Sequence, residues 1–251
     1  MLLPTPTPVV DAAAVYADES RRAVEARPWV TVNMISTADG AATDAEGRTG
    51  GLASAADRDV LIAIRAVGDV VMAGAGTVRA ENYGPARMPP ELEAVRLERG
   101  QSRWPRIVVV SASLHLDPTA RLFHEPADER PLIVTVEAAD PEARRRLEPV
   151  ADFVVAGDER VSWPLALAEL RKTTGAEVAV VEGGPMVIGQ MLIDDVIDEM
   201  CLTVAPVMAG GEAPRIAHGV RPDTARTMRL AHLLEADGFL LLRYLIDHPV
   251  P

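Results

Sequence analysis

Two glycine-bearing stretches have the residue types and spacing to hold an anionic ligand on main-chain nitrogens. One is Glu182-Gly183-Gly184-Pro185, which follows the apolar run from Val178 and precedes an amphipathic segment ending at Ile193. Paired glycines permit torsions other residues resist and let a ligand approach the backbone. Pro185 suits the first position of a helix, where a missing N–H costs nothing. The free N–H groups of that first turn, with the positive end of the helix dipole, would hold a phosphate or pyrophosphate. The other stretch, Gly74-Ala75-Gly76-Thr77, follows the apolar run Asp69–Ala73 and reads as a second glycine turn. An ordinary strand-to-helix connection explains either stretch alone. A second such stretch in the same chain strengthens the anion-binding reading. Glu182 adds a carboxylate at a strand's C-terminal end, where open α/β sheets bind ligands. Asp39-Gly40 has turn chemistry.

The elements that must position these residues are legible in the hydrophobic pattern. Apolar runs of strand length are Trp29–Ser36, Asp69–Ala73, Arg106–Ser111, Pro131–Thr135, Asp152–Val155 and the run before Glu182. Such runs mark strands buried on both faces. Helices are expected over Asp11–Arg27, over Asp57–Val67 with Ser54 as its N-cap, and from Asp140-Pro141 onward. Trp163–Thr173 reads as a helix with Leu165, Leu167 and Leu170 inward. Thr77–Asn82 reads as a short helix, and Glu91–Arg99 as a surface helix or insertion. After Ile193 the alternation stops: Val196–Pro206, Met228–Glu235 and Phe239–Ile246 read as strands, the last two joined by the hairpin turn Asp237-Gly238. The expected fold is α/β: a mixed, mostly parallel sheet flanked by helices with an antiparallel C-terminal edge. An N-terminal arm and helix (residues 1–28) would precede one domain (residues 29–251).

Composition narrows the function classes. A net charge of −12 argues against nucleic acid as a partner. It leaves room for a phosphorylated small molecule, which needs only local arginines. No stretch has the length of apolar residues a membrane helix needs. The single cysteine, Cys201, rules out an internal disulfide and fits a reducing cytoplasm. The five histidines show no metal-ligand spacing, so no metal site is expected and most should lie at the surface.

Taken in order, several motifs resemble the reductase domain of the riboflavin-biosynthesis pyrimidine deaminase/reductase family, which has a dihydrofolate reductase-like fold. They are Ser36-Thr37-Ala38-Asp39-Gly40, Ala53 to Arg58 before Ile64-Arg65-Ala66, Gly74 to Val78, Arg106 to Ser111, Glu182 to Pro185, and Asp198-Glu199-Met200. The resemblance runs from about Trp29 to Tyr244. It implies NADPH-dependent reduction of a ribosylamino-pyrimidine 5′-phosphate to its ribitylamino form. The zinc deaminase signature of fuller family members has no counterpart here, so a stand-alone reductase is implied.

Carried over residue by residue, the resemblance puts Gly183, Gly184, Pro185, Met186, Val187, Ile188, Gly189 and Gln190 around the pyrophosphate. Ser111 would meet the adenosine end. Gly74, Gly76 and Thr77 would approach the dinucleotide, and Ile35, Ser36 and Gly51 would border the nicotinamide. Thr49, Arg65, Thr77, Glu81, Arg87 and Glu182 would surround the substrate, Arg65 and Arg87 facing its phosphate. Glu81 and Asp39 are the expected catalytic pair, Glu81 as proton donor or polariser and Asp39 ordering the turn beneath the nicotinamide. Each has a plainer explanation: Arg65 suits a helix C-terminus anyway, Arg87 could be solvated, and a charged helix face accounts for Glu81. The chain departs from the family at Gly51, where a Trp is usual, and at Glu81-Asn82-Tyr83, in place of Asp-Asp-Pro. Both departures lie around substrate, which leaves cofactor use the firmer expectation. Pterin reduction on the same fold, with Asp57 or Asp59 as the carboxylate, and non-catalytic dinucleotide binding are the alternatives. The cation selecting NADPH over NADH would be Arg130 or His115. The apolar hairpin Phe239–Ile246 suggests a homodimer.

Overall fold

The structure is a computed structural model, and it describes residues 1–2, 5–17, 20–44 and 47–247. In chain order the elements are α1 (Ala12–Tyr16), β1 (Trp29–Thr37), α2 (Ala55–Val67), β2 (Val70–Gly74), α3 (Ala75–Ala80), α4 (Pro90–Glu98), β3 (Arg106–Val110), α5 (Arg121–His124) and β4 (Leu132–Thr135). There follow α6 (Pro141–Leu147), β5 (Asp152–Val155), α7 (Trp163–Thr174), β6 (Val178–Val181), α8 (Pro185–Ile193), β7 (Glu199–Ala205), β8 (Met228–Ala236) and β9 (Phe239–Ile246). The fold class is the expected one: α/β, with a mixed, mostly parallel sheet that ends in antiparallel strands.

The chain divides into two compact units. The first comprises Met1–Asp18, Val30–Ile64 and Val181–Pro251; the second, Glu19–Trp29 and Arg65–Val180. Within the first unit the strand order is β1-β7-β9-β8. Strand β1 pairs with β7 in parallel, Ile35 opposite Thr203, and β9 runs antiparallel to both β7 and β8. Asp237 and Gly238, with φ of 55° and 82°, make the expected hairpin turn between β8 and β9. Two residues the sequence left unpaired meet on β7 and β9. Arg243 donates from Nε to Glu199 Oε1 at 2.9 Å and from Nη2 to Oε2 at 3.1 Å, with both side chains buried. The two-pronged geometry compensates the desolvation of each charge.

Within the second unit the order is β5-β4-β3-β2-β6, and β2 through β5 pair in parallel. All of β2 and β4 is buried, as continuous β-branched runs require of strands covered on both faces. Asp69, just before β2, accepts from the backbone N–H groups of Glu177 and Val178 at 2.8 and 2.9 Å. Arg96 of α4 is fully buried; its guanidinium donates to the carbonyls of Arg65, Ala66 and Gly68 at the end of α2 and to Ser102 at 2.9 Å. Burial pulls its pKa down to about 10.

Several local expectations hold. Ser54 Oγ accepts from Asp57 N at 3.0 Å, and Asp140 from Glu142 N at 2.9 Å, so both helix starts are capped as read. Others need correction. The helix expected over Asp11–Arg27 is only the five residues of α1, with residues 18–19 outside those described. Further on, Val24 and Arg27 form an isolated bridge and Ala23 N donates to Glu177 Oε2, which commits those amides elsewhere. In α7 Leu165 faces solvent at 43% exposure, because Trp163, Ala166, Leu167 and Leu170 form the buried stripe. His232 is buried, its ring edge-on to Tyr16 at 4.9 Å. Among the described residues no helix is long and apolar enough to cross a membrane, and no group of three acidic, histidine or cysteine side chains could hold a metal ion.

Candidate functional site

In the first unit β6 ends at Val181 and the chain passes through Glu182, Gly183 and Gly184 into α8. Gly183 has φ of 96°, a torsion only glycine adopts without strain, and the Gly183–Gly184 peptide is cis. Gly184 is the N-cap and Pro185 occupies the first turn, as the sequence indicated. Gly184 brings no side-chain cap of its own to this N-terminus, and a helix start of this kind suits an anion. Glu182 is 8% exposed. Along α8, Met186 and Gln190 face solvent, whereas Ile188 and Gly189 are buried. Gly189 has an intramolecular partner: a Cβ there would stand 2.1 Å from the carbonyl oxygen of His218.

The turn after β1 lies in the same unit. Ile35 and Ser36 are buried at the strand's end, at 8% and 6% exposure. Asp39 accepts from Thr37 Oγ1, from Ala209 N at 3.1 Å and from Gly210 N at 2.7 Å. Those donors, Thr37 foremost, hold its pKa at about 2. Its oxygens are thus engaged in ordering a loop, and it is ionised across the physiological range. Thr49 is half-buried, and Gly51 is exposed where a Cβ would meet Asp44 Oδ2 at 2.6 Å. The carboxylate of Asp44, a residue the sequence reading passed over, stands beside the position where the family usually has a tryptophan. Asp57 is half-buried in the first turn of α2; burial raises its pKa, opposed by a hydrogen bond with Thr203.

In the second unit the stretch Gly74–Thr77 is not a turn. Gly74 ends β2 and caps α3, and Ala75, Gly76 and Thr77 are already helical. Gly76 is exposed, and a Cβ added there would meet nothing within 4 Å. Glu81 closes α3, its N–H donating to Thr77 O at 2.9 Å. Arg65, in the last turn of α2, lies over the Tyr83 ring at 5.7 Å. Arg87 stacks on Trp104 at 5.4 Å and pairs with Glu125 at 3.3 Å, with its side chain 47% exposed. Ser111, just past β3, is buried and its Oγ accepts from Leu114 N at 3.0 Å.

The two cations suggested for coenzyme selection lie at opposite edges of the parallel strands. Arg130 precedes β4, donates to the carbonyls of Glu148 and Ala151, and pairs with Asp152 at the start of β5. It therefore lies at the N-terminal ends of parallel strands, the edge opposite to where such sheets bind ligands. His115 follows Ser111 at the C-terminal edge. There Arg79, unremarked in the sequence, donates from Nη1 to His115 O at 2.7 Å. Its signal was available: three residues after Gly76 on a helix, it shares that glycine's face.

The family model described as the RibD C-terminal domain matches residues 28–241. The 2,5-diamino-6-ribosylamino-4(3H)-pyrimidinone 5′-phosphate reductase of Archaeoglobus fulgidus is 30% identical over 194 residues, covering 77% of this chain and 87% of that protein. The protein of the same name from Methanothermobacter thermautotrophicus is 31% identical over 190 residues, 75% of this chain and 82% of its own. Among solved structures, a pyrimidine reductase-like protein from Corynebacterium diphtheriae superposes with a TM-score of 0.84 at 25% identity, over 95% of this chain and 100% of that one.

Proposed function

This chain belongs to the RibD C-terminal domain family, and from that premise we propose that it is a reductase of a ribosylamino-pyrimidine 5′-phosphate, drawing its hydride from NADPH. Relatives bearing that activity's name match three quarters of the chain, which supports the substrate class. The observation that carries the dinucleotide part is Gly76. A glycine inside a helix costs about 1 kcal/mol relative to alanine, yet among the described residues no atom beyond α3's own backbone comes within 4 Å of the space a side chain would fill. That vacant cradle suits a ligand's close approach, and the uncapped start of α8 suits a pyrophosphate.

In this reading the coenzyme-binding residues are Gly74, Gly76, Thr77, Ser111, Ile35, Ser36, Gly51, Gly183 to Ile188 and Gln190. Arg79, donating to the His115 carbonyl, supplies the positive charge that prefers NADPH to NADH. When bound, the coenzyme provides the hydride that reduces the sugar carbon of the opened imine. The chain's own residues orient the two rings and complete the addition with a proton on the imine nitrogen. Glu81 is the group assigned to that proton. Thr49, Thr77 and Glu182 hold the substrate, and Arg65 and Arg87 its phosphate, Arg87 exchanging Glu125 for the ligand. Asp39 acts by positioning, since a carboxylate held at about 2 has no proton to give near neutrality. We assign residues 29–251 to one catalytic domain after an N-terminal arm, working as a cytoplasmic homodimer.

The deciding experiment mixes the purified protein with NADPH and the ribosylamino-pyrimidine phosphate. Loss of nicotinamide absorbance with a product two mass units heavier is expected; unchanged absorbance and mass would refute the assignment. A second reading, reduction of a pterin, draws on Asp57, a half-buried carboxylate of raised pKa at the start of α2. It predicts turnover of dihydrofolate that Asp57→Asn abolishes.

A further inference from the structure

The segment between β7 and β8 holds no regular structure, and none of the residues assigned above lies in it. Its contacts within the first unit are nevertheless specific. At its start Ala38 N donates to Val207 O at 2.8 Å, while Ala209 N and Gly210 N donate to the carboxylate of Asp39. Ala42 N then donates to Pro214 O at 2.8 Å. Gly210 and Gly211, with φ of 64° and 71°, let the chain turn sharply after Asp39. Farther along, His218 N donates to Pro185 O at 3.0 Å, and the His218 carbonyl lies in the space left by Gly189. Past the far end of α8, Asp195 takes an ion pair from Arg226 at 2.7 Å. The segment therefore runs from the turn after β1 to the first two turns of α8 and on to the second residue beyond its last.

We propose that Val207–Gly219 is a positioning strap for the coenzyme site: pinned at one end by Asp39 and seated at the other on Gly189, it holds the N-terminal turns of α8 in the arrangement that receives the pyrophosphate. This rests on the dinucleotide reading and adds residues to it. Asp39 and Gly189 act through the strap as positioning residues. The physical basis is the number of main-chain contacts that depend on two side-chain features. One is a carboxylate able to accept from two successive N–H groups at once; the other is a missing Cβ that lets two backbones touch. Hydrogen bonds to a charged acceptor are stronger than neutral ones, which suits a single carboxylate to fixing a glycine-rich segment.

The test uses Asp39→Asn, Gly189→Ala and the double variant of the full chain, read by amide hydrogen exchange without ligand and by NADPH titration. Asp39→Asn replaces one accepting oxygen with a donor, and Gly189→Ala forces the His218 carbonyl away. Each is expected to speed exchange across 207–219 and to weaken NADPH binding by about tenfold. Together they should weaken it by clearly less than the product of the two, because both act through one segment. The KM for the pyrimidine substrate should move less than that for NADPH. Should Gly189→Ala fail to fold, Gly219→Ala serves instead. Its φ of 119° strains any side chain, and the change lies in the strap rather than on α8. Faster exchange with unchanged NADPH affinity would overturn the strap's role while leaving the dinucleotide reading intact. Fully additive losses would also overturn it. A wild-type protein that binds neither NADPH nor NADH would overturn both.

Discussion

The junction from β2 into α3 and the junction from β6 into α8 both carry glycines at a strand-to-helix crossing, for different reasons. At the second, the glycines answer to the protein itself. Gly183 takes a φ of 96°, and Gly189 gives way to the His218 carbonyl. At the first, Gly74 caps α3 at a φ of −66° that any residue could adopt, and Gly76 faces open space. Nothing within the chain calls for a glycine at position 76. The contrast teaches that a glycine without an internal reason invites an external one, which the proposed coenzyme would supply.

That contrast can be broken by substitution, and Gly189→Ala should produce the largest effect. A methyl group 2.1 Å from a backbone oxygen cannot be relieved by a side-chain rotation. Overpacking of this kind costs about 3 kcal/mol or more, which urea unfolding would register. Gly183→Ala comes next, at about 1–2 kcal/mol for a non-glycine residue in the left-handed region. If it proved neutral, the second junction would not need its glycine either. Arg79→Ala is expected to lower NADPH affinity about tenfold, roughly 1.4 kcal/mol, with little change for NADH. Equal losses for both coenzymes would remove Arg79 from the 2′-phosphate.

Gly76→Ala gives the sharpest comparison because its two effects have opposite signs. Stability should rise by about 0.5–1 kcal/mol, as for other glycines inside helices, while NADPH binding weakens. A gain in stability with unchanged binding would leave the first junction without a ligand. The smallest effect is expected from acid. The folded pKa of Asp39, about 2, lies below its ordinary 3.8. Its contribution is therefore fully present above the unfolded value and is lost as pH falls from about 4 toward 2. Protection of the Ala209 and Gly210 amides, relative to their intrinsic exchange rates, should fall over that window in the wild type and stay flat in Asp39→Asn.

Much of the fold was legible because its signals are local. Buried strands β2, β3, β4 and β6 read as unbroken apolar runs; Ser54 and Asp140 cap helices through neighbours two or three residues away. The Asp237-Gly238 turn needed only two residues able to take positive φ. Reading failed where two local patterns competed. Leu165 and Trp163 both fit an inward position of α7, and burial chose the tryptophan. Gly74–Thr77 has the composition of a turn, yet its torsions are those of a helix start.

The amino-acid sequence by itself determined the α/β class, the order of the strands along the chain and the two glycine junctions, because backbone torsion and side-chain periodicity are set by near neighbours. Tertiary structure decided what those residues meet. Asp39 finds Ala209 and Gly210 across 170 and 171 positions of chain. Arg130 is set at the N-terminal edge of the parallel strands, and Arg79 at the C-terminal edge beside His115. Such pairings join common residue types over long separations, and no local pattern distinguishes them until the strands have packed.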